Sequence, residues 1–148
     1  MIAVVQRVKR AEVRIAGEVT GRIDRGLLVL VCAEKGDGDA DLDWLSDKVL
    51  HMRVFDDSAG RMNLSALETG AAILVVSQFT LAADLSRGRR PGFEHAAPPA
   101  EAEALYEGLV ARLRAGPLRV ETGRFRARMD VELVNDGPVT LIVGGGER

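Results

Sequence analysis

The run GLLVLVC, residues 26–32, carries no charged side chain and opens on a glycine. Its length is that of a strand, and with no polar alternation it has no face to give to water. It therefore reads as a strand buried on both faces, so the rest of the chain must cover it from two sides. AAILVVSQFTL, residues 71–81, is the most hydrophobic stretch of the sequence and is expected as a second, central strand.

What surrounds these runs narrows the fold. IAVVQRV and AEVRIAG are β-branched stretches, and Glu12, Val13, Arg14 and Ile15 alternate polar and apolar as a half-buried strand does. GEVTGRI is a further short strand. DADLDWLSDKVLHM predicts a helix over 39–52, with acidic residues at its start and Leu42, Leu45, Val49 and Met52 on one stripe. DDSAGRMN is a turn cluster, and DLSRGRRPGFEHAAPP is a loop without periodicity. A second helix follows in AEAEALYEGLVARLRAG, with Ala102, Leu105, Tyr106, Leu109 and Leu113 on one face and Gly116 as its stop. FRARMDVEL alternates without a break, with Phe125, Ala127, Met129, Val131 and Leu133 on one side and Arg126, Arg128, Asp130 and Glu132 on the other; it predicts a strand with one wet face. The terminal GGGER is expected to fray.

At 148 residues the chain has the size of one domain, and 47% hydrophobic with 28% charged residues is a globular composition. The element order is strands, helix, strand, helix, strands, which is not the regular alternation of a doubly wound sheet. An α+β domain is expected, with a curved, barrel-like, mostly antiparallel sheet and two covering helices.

A net charge of −2 gives no global attraction for nucleic acid, so any RNA contact would be local and shape-based. The single Cys32 leaves no internal disulfide and fits a reducing compartment. Cys32, His51 and His95 are scattered, with no zinc-ligand spacing, so no metal and no cofactor is expected. The N-terminal segment turns polar by Gln6, which is neither a signal peptide nor a membrane span; a cytoplasmic protein is expected.

Three places offer chemistry. In SQFTL, residues 77–81, Ser77, Gln78 and Thr80 surround Phe79 where a buried strand gives way to a loop. One reading is a strand end whose hydroxyls satisfy neighbouring backbone; the other is a polar floor beside an aromatic wall. Neither histidine is placed to activate a hydroxyl, so a serine–histidine–acid triad is weakly supported. SRGRRPGF sets Arg87, Arg89 and Arg90 in a loop that is either solvated or grips phosphates. Arg124, Arg126 and Arg128 extend the basic face, with Asp130 and Glu132 competing for them. Cys32 at the end of its apolar strand reads as an inert core thiol, and His51 late in its helix reads as a cap. The third place is NDGPVT, residues 135–140, where a Gly-Pro step interrupts the last strand; proline there removes a ladder donor and belongs at an edge or a bulge.

SQFTLAAD followed by NDGPVT resembles the D-aminoacyl-tRNA deacylases, and the resemblance extends through MIAVVQRVKRAEV, GEVTGRI, GLLVLV, GRMNLS, RPGF, EALYE and TGRF. The chain departs from the family pattern at Gly92 and in its GGGER tail. The resemblance implies a homodimer with active sites at the subunit interface, in which a Gly–cis-Pro step, here Gly137-Pro138, enters the partner's site and excludes L side chains. The implied reaction is hydrolysis of the ester between a D-amino acid and the terminal adenosine of tRNA, for chiral proofreading in translation, and also of glycine mischarged on alanine tRNA. It implies that the 2′-hydroxyl of tRNA is the catalytic group. Ser77, Gln78, Phe79 and Thr80 would then position the substrate and supply backbone oxyanion donors. Gly137, Pro138, Met129, Arg7 and Asn135 would bind substrate, and Arg87, Arg89 and Arg90 the tRNA. The alternative is a non-catalytic RNA-binding module on the same fold; a general esterase ranks last.

Overall fold

The computed structural model describes residues 1–145. The elements run β1 (Ile2–Ile15), β2 (Glu18–Ile23), β3 (Gly26–Cys32), α1 (Asp39–His51), β4 (Phe55–Asp56), β5 (Met62–Leu64), α2 (Ala66–Thr69), β6 (Ala72–Ser77), a 3-10 turn (Phe79–Ala82), α3 (Pro99–Arg114), β7 (Val120–Thr122) and β8 (Asp130–Gly144). Of the GGGER tail, residues 146–148 lie outside the described residues.

The two opening runs form one long strand, β1, which is the spine of the sheet. It pairs antiparallel with β3 over its first half, with β2 over its second half, and with β8 along its other edge. The path then continues β3–β6–β7, and both of those pairings are parallel. The sheet is therefore mixed, with the antiparallel pairings of β1 outnumbering the two parallel ones. The reason is topological: α1 lies between β3 and β6, and α3 between β6 and β7, and a crossover through a helix returns the chain in the same direction.

The continuous apolar runs are buried on both faces, as their composition requires. Leu27, Val29 and Val31 of β3 and Ile73 and Val75 of β6 pack into the cluster capped by α1 and α3. Leu28, Leu74 and Val76 face the opposite side and join Val8, Ala11, Val13 and Ile23 in a second cluster inside the curve of the sheet. The curve nearly closes. Arg119 Nη2 donates to the Arg22 carbonyl at 3.2 Å, and a Cβ on Gly21 of β2 would overlap the Thr122 carbonyl of β7.

Leu42, Leu45 and Val49 of α1 and Tyr106, Leu109 and Leu113 of α3 are buried as the helical spacing predicts. Arg112 of α3 bridges to Asp43 at 2.7 Å and Asp39 at 3.1 Å on α1. Among the described residues there are three helices, not two. The third, α2, is a single turn fixed by a capping box: Ser65 Oγ accepts from the Glu68 N–H at 3.1 Å and the Glu68 carboxylate accepts from the Ser65 N–H at 2.7 Å. Gly70 ends it at φ +67°.

Two expected strands are shorter than the sequence suggests. β6 stops at Ser77: Gln78 N–H makes a last bond to the Val31 carbonyl at 2.8 Å, and Leu81 N–H then turns back to the Gln78 carbonyl at 3.2 Å. Ser77, Phe79 and Leu81 consequently do not share a strand face. β8 begins at Asp130, and residues 123–129 lie outside any strand, with a turn closed by Ala127 N–H to the Arg124 carbonyl at 3.2 Å and Arg126 at φ +64°. Even so, Phe125, Ala127 and Met129 are half-buried while Arg124, Arg126 and Arg128 are exposed. The alternation reported burial correctly and backbone wrongly. Glu132 pairs with Arg10 and Arg14, both at 2.9 Å, rather than with the arginines of the turn.

Replacing Gly21 by Ala is expected to lower stability by roughly 1–3 kcal/mol, since the added methyl must push the β2 and β7 backbones apart. Gly116→Ala, whose nearest atom would be 3.9 Å away, serves as the control. Equal urea midpoints for the two variants would refute this account of closure.

Candidate functional site

The β1–β8 ladder shifts register twice, by one residue of β1 at Lys9 and by a larger step beside it at Arg7. Gln6 pairs with Thr140 and Val8 with Asn135, so β1 advances by Arg7 alone while β8 spends Asp136, Gly137, Pro138 and Val139. These four residues bulge outward, with the Gly137-Pro138 peptide cis and Gly137 at φ +122°. The side chain of Asn135 closes the base of the bulge: its carbonyl accepts from the Val139 N–H at 3.1 Å and its amide donates to Thr140 Oγ1 at 2.9 Å.

Arg7 lies beneath the bulge and is buried. Its Nε donates to the Asp136 carbonyl at 3.2 Å and Nη1 to the Val54 carbonyl at 2.7 Å, with the Asp136 and Asp56 carboxylates at 3.6 and 3.5 Å. A buried guanidinium with acceptors on both sides is a rigid support, because losing it would strand a buried carbonyl. A Cβ on Gly137 would stand 2.8 Å from Arg7 Nη2, so the bulge tolerates only glycine at that position.

The principal cavity, of about 610 Å³, lies elsewhere on the molecule. The end of β6 with the 3-10 turn forms one wall through Ser77, Gln78 and Phe79. The loop before α3 adds Phe93, α3 adds Tyr106, and the turn before β8 adds Phe125, Arg126 and Met129. Phe79 and Phe93 meet edge to face with ring centroids 4.9 Å apart, and Tyr106 and Phe125 lie 6.0 Å apart. Phe79 is 56% exposed, an unusual position for a large aromatic ring and one suited to stacking a planar ligand. The floor is held by Tyr106, whose hydroxyl donates to the Val75 carbonyl at 2.9 Å. Burial pushes that phenol up to about 12, so it stays protonated and acts as a strut.

Of the residues singled out from the sequence, Ser77, Gln78, Phe79 and Met129 line this cavity. Thr80 does not; its hydroxyl is engaged with the Gln78 amide. Arg7, Asn135, Gly137 and Pro138 gather at the bulge, which is exposed at Gly137 and Pro138 and forms no part of the cavity wall. Arg87, Arg89 and Arg90 are exposed in the loop that leads to Phe93. Lys35, Tyr106 and Phe125 were missed as site residues, and Arg126 was read only as part of a basic face. Their only sequence signals were a turn, a helix stripe and an alternating run, each of which also describes ordinary structure.

The cavity offers little for nucleophilic catalysis. Among the described residues its wall contains no histidine, aspartate or glutamate. Burial, with Glu34 nearby, raises the Cys32 thiol to about 11, so it is protonated at neutral pH. His51 caps α1, with Nδ1 at 3.0 Å from the Asp47 carbonyl, and His95 is exposed away from the wall. Among the described residues no three of His, Cys, Asp and Glu stand together as a metal site would require. What the site does present is backbone. Among the described residues the N–H groups of Phe79 and Thr80, first in the 3-10 turn, have no acceptor.

The D-Tyr-tRNA(Tyr) deacylase family profile matches residues 4–144. A D-aminoacyl-tRNA deacylase of Anaeromyxobacter dehalogenans is 59% identical over 97% of this chain and 96% of its own length. One of Ruegeria pomeroyi is 57% identical over 95% of this chain and 97% of its own. Among solved structures, a c-Myc DNA unwinding element binding protein superposes with a TM-score of 0.94 at 38% identity, covering 99% of this chain and 100% of that one. A probable eukaryotic D-amino acid tRNA deacylase shares the fold at 17% identity and TM-score 0.81, covering 96% of this chain and 97% of that one. With its bulge, its aromatic cavity and a match that runs almost end to end, the chain belongs to the D-aminoacyl-tRNA deacylase family.

Proposed function

We propose that this protein hydrolyses the ester of D-aminoacyl-tRNA at the mouth of the aromatic cavity, without a protein nucleophile. The observation that carries this reading is a cavity wide enough for a nucleoside, walled by aromatic rings, in which no wall residue is an activated base or nucleophile. Ester hydrolysis needs a placed water and donors aimed at the developing oxyanion. The unbonded N–H groups of Phe79 and Thr80 are suited to that task, beside a ring that holds the terminal adenosine. The attacking water's proton is then relayed by the substrate's own vicinal 2′-hydroxyl, which accepts it while giving its own proton to the departing 3′-oxygen.

Chirality is set by the bulge of a second copy. Gly137 and Pro138 are exposed and stand apart from the cavity of their own chain, so they act where another molecule meets them. The outer edge of β8 supports a homodimer: among the described residues β8 pairs only with β1, and it exposes Leu141 and Ile142 beyond the bulge. Backbone carbonyls at the bulge would meet the α-carbon and clash with an L side chain, while a D side chain points outward. Glycine has no side chain to reject, so glycine on alanine tRNA is accepted too. A non-catalytic RNA-binding module would have no use for such a rigid projection, which weighs against that reading. Among the described residues no helix is long and apolar enough to cross a membrane.

Three outcomes are expected. tRNA charged with D-tyrosine is deacylated in the presence of a chelator, and tRNA charged with L-tyrosine is not; binding of both without release would favour the RNA-binding module. Gly137→Ala, with its methyl against Arg7 and a φ that L residues rarely adopt, cuts D-ester turnover tenfold or more, since about 1.4 kcal/mol of misplacement suffices, or else admits the L ester. Unchanged rate and chirality in single-turnover assays would remove the bulge from the mechanism. Thr80→Ala keeps turnover within about tenfold, the value of one neutral hydrogen bond; a loss of several thousandfold at unchanged tRNA affinity would make its hydroxyl the nucleophile.

A further inference from the structure

Among the described residues Lys35 and Arg126 are the two cationic side chains in the wall of the cavity, and no carboxylate shares that wall. Elsewhere several arginines of the sheet and helices are neutralised: Arg14 and Arg22 hold Glu12 at 2.7 and 2.8 Å, Arg10 holds Glu132, and Arg112 holds Asp39 and Asp43. Lys35 and Arg126 are exposed, and among the described residues neither side chain makes a hydrogen bond or an ion pair. Both are nevertheless held at their backbones. Lys35 N–H donates to the His95 carbonyl at 2.9 Å, and its neighbours Glu34 and Asp37 face the Met1 ammonium at 3.3 and 2.6 Å. Arg126 occupies the left-handed region at φ +64° in a tight turn, where a long side chain is rarely placed.

We propose that Lys35 and Arg126 form a clamp for the phosphodiester on the 5′ side of the terminal adenosine. The proposal rests on the reading of the cavity as the adenosine site and adds how the polynucleotide is told from a free nucleoside. The chemistry of the ligand selects this group. The reacting end of an aminoacyl-tRNA carries an ammonium and no carboxylate, so the anion nearest the ester is that phosphodiester. Two cations from separate loops, on a wall with no opposing charge, complement one phosphate and give a salt-dependent contact that carries no base information. The clamp also accounts for how an acidic chain recruits an acidic substrate through a local field.

The test compares D-tyrosyl-adenosine with D-tyrosyl-cytidylyl-(3′→5′)-adenosine, which differ by the phosphodiester and one outer nucleoside. Wild-type protein is expected to show a KM for the dinucleotide ester about tenfold lower, an advantage that shrinks as salt rises from about 50 to 200 mM. Arg126→Gly removes the cation while suiting the backbone, since glycine adopts φ +64° freely. Combined with Lys35→Met, it should bring the two KM values together, with the loss in KM and not in kcat, and Arg126→Lys should restore part of the difference. Calorimetric titration of unacylated cytidylyl-adenosine against adenosine reads the clamp apart from turnover. A phosphate-dependent difference that the double variant abolishes upholds the clamp even where neither ester is cleaved, an outcome that would instead overturn the deacylase reading. Equal affinities in the wild type, or a double variant that weakens both ligands alike, would overturn the clamp.

Discussion

Everything functional in this protein is referred to β1, whose two edges are both occupied along nearly the whole strand. A strand hydrogen-bonded on both sides cannot shift register without breaking two ladders at once, so it is a fixed ruler for whatever leaves it. The largest departure of β8 from that ruler is opposite Arg7, and there the guanidinium takes over from the missing ladder bonds. One buried cation thus joins the projecting Gly137-Pro138 step to the Val54 carbonyl and the Asp56 carboxylate, tying the bulge to the segment beyond α1. A projection meant to test the handedness of a substrate must not yield when pushed. Here it is braced from below by charge and from the side by Asn135.

The cavity follows a different logic. Its walls come from five segments distant in sequence, and its rigidity is hydrophobic, with Tyr106 anchoring α3 to the central strand β6. Its chemistry is supplied by backbone donors at a strand end that turns abruptly into a 3-10 helix. An apolar wall, a protonated thiol and, among the described residues, the absence of carboxylates keep the site free of groups that would compete with a substrate hydroxyl as the proton relay. Charge is placed with equal economy. Acidic residues neutralise arginines on the sheet and between the helices, leaving unpaired cations at the cavity, where a polyanion must dock.

How much of this was legible beforehand differs by element. GLLVLVC and AAILVV announced buried strands because no other arrangement removes seven or six consecutive apolar side chains from water. The stripes of α1 and α3 were equally plain. The single turn of α2 carried its Ser65–Glu68 box in the open, but one turn has no periodicity to mark it. FRARM misled because a turn with Arg126 left-handed produces the same in–out alternation as a strand. In SQFTL the polar residues marked the place, while the choice between strand and 3-10 turn was made by the Val31 carbonyl on a neighbouring strand.

The sequence by itself determined which residues are withdrawn from water, where the helices start and stop, and that a Gly-Pro step must interrupt the last strand, because burial, capping and proline's missing donor are local properties. Only the tertiary structure decided that the β3–β6–β7 pairings are parallel, that Arg7 lies under Gly137, and that Lys35 and Arg126 meet at one cavity. Those facts join residues about 90 to 130 positions apart in the cases of the cavity and the bulge, and no spacing rule reaches that far; they are fixed by how the sheet curls and which edges it leaves to be filled.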